Sequence, residues 1–86
     1  MKKKLYKTYE KIHKEIKKNI ASIKDLLNVL VSLSDIVKTM SLDQVYLQEK
    51  LLACISNIQR DITSLVSQTT TLFDLFVELG QELSEL

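Results

Sequence analysis

Eighty-six residues make one small domain, and a domain of that size has a marginal core because its surface is large for its volume. The absence of proline and the single glycine, Gly80, exclude a turn-rich sheet protein, while 45% hydrophobic and 27% charged residues exclude a disordered tail. The net charge of +1 conceals a division: residues 1–24 hold nine lysines and two glutamates, a net of +7, whereas residues 25–86 hold three basic and nine acidic residues, a net of −6.

The chain opens Met1-Lys2-Lys3-Lys4 with no apolar block behind it, so no secretory signal is expected. With a single cysteine and no signal, the expected setting is intracellular, cytoplasmic or nuclear. Cys54 has no partner for a disulfide and is expected to be a small buried apolar residue. One histidine and one cysteine do not make a metal-ligand set, and no cofactor site is expected.

From residue 5 to residue 40 apolar side chains recur every seven residues in two rows. One row is Tyr9, Ile16, Ile23, Leu30 and Val37, the a positions of a heptad. The other is Leu5, Ile12, Asn19, Leu26, Leu33 and Met40, the d positions. Charged residues such as Lys7, Lys11, Lys14, Lys17, Lys18 and Asp25 fall on the opposite side, so the pattern predicts an amphipathic helix over about 5–38. Asn19 is the polar exception, placed either to fix register or at a wet end of the seam. The most apolar stretch, 26–37, is interrupted by Asn28, two serines and Asp35 and is too short to span a bilayer.

A second heptad starts after residue 44, out of phase with the first. Its d row is Leu51, Ile58, Leu65, Leu72, Leu79 and Leu86, and its a row is Ile55, Ile62, Thr69, Phe76 and Leu83. The phase break admits either one continuous helix with a stutter or a turn. The turn is favoured because Ser41-Leu42-Asp43-Gln44 has the form of a capping box, with Met40 and Val45 placed as a hydrophobic staple. A turn at about 39–41 and a second helix over about 42–84 follow, with a possible bend at 67–71, where Ser67, Gln68 and three threonines lower helix propensity. Gly80 is expected to mark fraying near the end. The fold class is thus all-α: a long antiparallel, coiled-coil-like helical hairpin. A turn there sets residue i roughly opposite 81−i, so Lys7 falls near Asp74 and Lys3 near Glu78.

The apolar surface is wider than one seam. Ile20, Leu27, Val29 and Ile36 on the first helix, and Leu47, Leu52, Val66, Phe73 and Leu75 on the second, flank the a and d rows. Each large side chain left in water forgoes about 1.5–3 kcal/mol of burial energy. Dimerising two hairpins into a four-helix bundle, or docking on helical subunits of a larger complex, would cover them. The expected partner interface is Leu26, Leu27, Leu30, Leu33 and Val37 with Leu51, Leu52, Ile55, Ile58, Ile62 and Leu65, and a charge at Ile58 is expected to prevent assembly.

The sequence therefore suits a non-enzymatic structural or adaptor subunit with no small-molecule substrate. The alternative is a regulator that binds an anionic membrane surface or nucleic acid through Lys11, Lys14, Lys17 and Lys18, which face no acid in the register above. A solvated helix face explains the same lysines more simply. An enzyme is disfavoured: His13 is the only general base suited to neutral pH, and no carboxylate pair, nucleophile or phosphate loop accompanies it in the sequence.

Overall fold

The computed structural model describes residues 2–86 and consists of two helices, α1 (Lys2–Thr39) and α2 (Val45–Glu85), folded back on each other. At about 1.5 Å per residue their 38 and 41 residues account for a rod 66 Å long and only 14 Å across. Each helix buries a stripe against the other. Every a and d residue of α1, from Leu5 to Val37, is part-buried or buried, and so are the corresponding rows of α2 from Leu51 to Leu83. Ile16 is the one side chain among the described residues that is almost fully enclosed, at 7% exposure.

Asn19 lies part-buried on this seam, and no buried side-chain nitrogen or oxygen lacks a partner among the described residues. Thr69 occupies an a position with its hydroxyl satisfied, donating to the Leu65 carbonyl at 2.6 Å. The hydroxyls of Thr70 and Thr71 turn back in the same way onto Val66 and Ser67. With their polar groups so satisfied, the threonine-rich stretch remains unbroken helix.

The turn differs from the expected one. Helix α2 begins at Val45, three residues later than the capping-box reading places it. Gln44 is the N-cap, with φ −98° and ψ 41° and no side-chain cap bond, so the Ser41–Gln44 box does not form. The Gln44 N–H instead donates to the Ser41 carbonyl at 3.1 Å, and the Met40 N–H to the Val37 carbonyl at 3.3 Å. Those two bonds close successive turns of backbone, which removes the need for glycine or proline. Leu42, at the tip, is 93% exposed.

The longer turn moves the register by about one helical turn. Tyr9 stacks on Phe76, with ring centroids 4.2 Å apart and planes at 12°, and lies against Gly80; the expected partner was Leu72. The same shift sets Lys7 level with Glu78 rather than Asp74, and Lys3 level with Glu82. Gly80 does not mark a frayed end: α2 runs through it to Glu85, and the Tyr9 ring lies against it.

Candidate interaction surface

The seam consumes most of the residues expected to meet a partner. Leu26, Leu30, Leu33, Val37, Leu51, Ile55, Ile58, Ile62 and Leu65 are all part-buried between the helices of one chain. A charge at Ile58 would therefore break the hairpin before it could report on assembly. Leu27 and Leu52 are different, being 43% and 49% exposed and outside the seam.

Those two belong to a larger set. Tyr6, Ile20, Leu27, Val29, Val31 and Ile36 are exposed on α1, and Val45, Tyr46, Leu47, Leu52, Val66, Phe73, Leu75 and Val77 on α2. In an antiparallel pair the e edge of one helix runs beside the e edge of the other, and g beside g. The e edges carry Tyr6, Ile20 and Leu27 with Val45, Leu52, Val66 and Phe73, and form one face along the rod that is broken by His13, Ser34 and Gln59. Its middle is an open groove between Ile20 and Ile23 on one side and Val66 and Phe73 on the other, floored by Ile16 and Thr69. The g edges form the opposite face. It is apolar near the turn, at Val29, Ile36 and Leu47, and is then interrupted by Glu15, Asp61 and Gln68.

Aromatic rings cluster at the open end of the e face. His13 stacks on Phe76 with centroids 5.4 Å apart, Tyr6 tilts against Tyr9 at 6.4 Å, and Phe73 against Phe76 at 6.5 Å. His13 thus holds a packing position at the seam edge. Among the described residues no three His, Cys, Asp or Glu side chains come together in a way that could hold a metal ion.

Cys54 falls at a g position and is exposed, contrary to the expected burial. The heptad itself carried that information, since Cys54 lies one residue before the a position at Ile55.

Lys11, Lys14, Lys17 and Lys18 project from the outer side of α1 and are exposed. In the observed register Lys11 comes level with Asp74, so it no longer lacks an acid across the pair. Lys14, Lys17 and Lys18 come level with Thr71, Gln68 and Ser67, which are uncharged. No helix among the described residues is long and apolar enough to cross a membrane.

The chain matches no family model, no curated protein and no solved structure.

Proposed function

We propose that the chain is a non-enzymatic structural or adaptor subunit, working inside the cell, that assembles with itself or with partner chains through coiled-coil or helical-bundle contacts. One observation carries this reading. After the two helices have packed, large apolar side chains remain exposed along both edges of the seam, from Tyr6 to Ile36 and from Val45 to Val77. Rows of exposed large apolar side chains of that extent are characteristic of interaction sites rather than of monomers. The interior supports the same reading: with Ile16 alone among the described residues almost fully enclosed, the hairpin has little core of its own, and small chains commonly gain stability by associating.

A second reading, binding of an anionic membrane surface or nucleic acid, draws on Lys14, Lys17 and Lys18, which have no acid opposite them. It is the weaker one, since exposed lysines on an outer helix face are ordinarily solvated.

Thermal unfolding as a function of protein concentration tests the first reading. If folding is coupled to association, a hundredfold rise in concentration stabilises the folded state by about 2.7 kcal/mol and the midpoint rises by several degrees. A chain with no cooperative melt alone would point to a different subunit as the partner. A cooperative melt independent of concentration, from a folded monomer, would contradict the proposal.

A further inference from the structure

Three features of the rod bear on what covers its e face. The first is area. The chain exposes 6829 Å². A compact monomer of 9.9 kDa exposes about 5,200 Å². The surplus of about 1,600 Å² is about twice what each partner contributes to an interface of standard size. One chain therefore has surface, polar and apolar together, beyond that of a compact body by enough for a stable contact with a body of its own size.

The second is the shape of the face. The groove between Ile20 and Val66 runs parallel to the rod axis, with an apolar row on each bank. A two-fold axis laid along that groove exchanges the banks. It sets α1 of one copy on α2 of the other and brings Ile20 of each copy level with Val66 of its mate.

The third is charge. Residues 1–24 carry a net of +7, and residues 61–86 carry five acidic side chains and no basic one. Two copies with their turns at the same end place the basic half of each α1 beside the acidic half of the other copy's α2. Every neighbouring pair of helices is then antiparallel and of opposite charge. Reversing one copy would set α1 on α1, with the basic half against a segment, 25–39, whose charges are only Asp25, Asp35 and Lys38. Electrostatic complementarity selects orientation even where each exposed pair contributes little energy.

We infer that the e face is closed by a second copy of the chain, the two hairpins pointing the same way, to give a four-helix bundle in which each α1 lies on the other copy's α2. This rests on the assembly reading above and adds the face, the occupant and the orientation. The g face, with Val29, Leu47, Leu75 and Cys54, stays outside the bundle.

The test is sedimentation equilibrium on the full chain, with circular dichroism on each sample. Wild type is expected at twice the 9.9 kDa chain mass. The double variant Ile20→Lys with Val66→Lys buries four ammonium groups per dimer and is expected to weaken association about a hundredfold or more. Val29→Lys with Leu75→Lys alters the other face and should leave association within about threefold of wild type, as exposed charges contribute little. A dimer lost in the second variant and kept in the first overturns the e-face assignment while leaving the assembly reading standing. So does a wild-type chain that is poorly folded alone. A well-folded wild-type monomer overturns both.

Orientation has its own readout, which does not depend on destabilising the chain. A spin label at Ser41→Cys, in a Cys54→Ser background, sits at the turn of each copy. A label-to-label distance under half the 66 Å rod length is expected. A longer one overturns the parallel arrangement.

Discussion

Gly80→Ala isolates one contact on which the register depends. Glycine in a helix interior is about 1 kcal/mol less favourable than alanine, and Gly80 lies inside α2 with no positive φ to justify it. A Cβ at this position would meet the Tyr9 ring and nothing else: Cε2 at 3.4 Å, the hydroxyl oxygen at 3.7 Å and Cζ at 3.9 Å. These are ordinary van der Waals separations, so the methyl adds packing without a clash. The variant is expected to be more stable by about 0.5–1 kcal/mol. For a chain of this size that raises the melting midpoint by roughly 2–8 °C. Circular dichroism melts at several concentrations separate the folding term from association. Gly80→Leu, by contrast, has no room beside the ring and should lower the midpoint. In a cycle with Tyr9→Ala, the penalty of the leucine should fall. A destabilised Gly80→Ala would refute the reasoning, because it would mean that a Cβ at this position meets a neighbour closer than the 3.4 Å separation from Tyr9.

Other expectations follow from the turn, the seam and the lysines. Ser41→Ala should change urea-unfolding stability by less than about 0.5 kcal/mol, since no side chain caps α2, whereas Gln44→Asp should add about 0.5–1 kcal/mol; a large loss at Ser41 would restore the capping box. Ile58→Asp places a charge in the seam and should abolish the helical dichroism of the chain; a helical Ile58→Asp chain would contradict the packing of the two heptads. Reversing Lys14, Lys17 and Lys18 to glutamate should leave sedimentation on anionic vesicles and DNA binding unchanged; salt-sensitive binding that the reversal removes would favour the weaker reading of function.

The heptads were legible because a seven-residue apolar repeat is the direct geometric consequence of one helix face packing on another. Leu5 to Val37 and Leu51 to Leu83 all lie where that repeat puts them. The turn was less legible. Ser41-Leu42-Asp43-Gln44 fits a capping box and also a plain backbone turn, and the choice depends on how far α1 continues before the chain reverses. An error of about four residues there propagates along the whole rod, which is why the lysine–acid partners moved by a turn. Tyr9 and Phe76 were both assigned to a positions, yet their stacking is a property of the pair that neither heptad contains alone. Cys54 departs from the general tendency of free cysteine to be buried because its place in the repeat is a g position outside the seam.

The open end of the rod follows no single-helix rule. Lysines crowd the N-terminus of α1 and glutamates the C-terminus of α2, and each is the wrong sign for its own helix dipole. Side by side in the antiparallel pair, each end faces the charge and the dipole that suit it. The local disagreement resolves at the level of the hairpin, and the same charges are available to a second hairpin laid alongside.

The mass of the purified chain in solution, from light scattering at concentrations on either side of the micromolar range, tests the role of the exposed apolar edges most directly. An oligomer, with a dimer of about twice 9.9 kDa as the simplest form, is the expected result. A helical monomer that stays monomeric at the highest concentration, with Leu27, Leu52 and Phe73 in water, would contradict it.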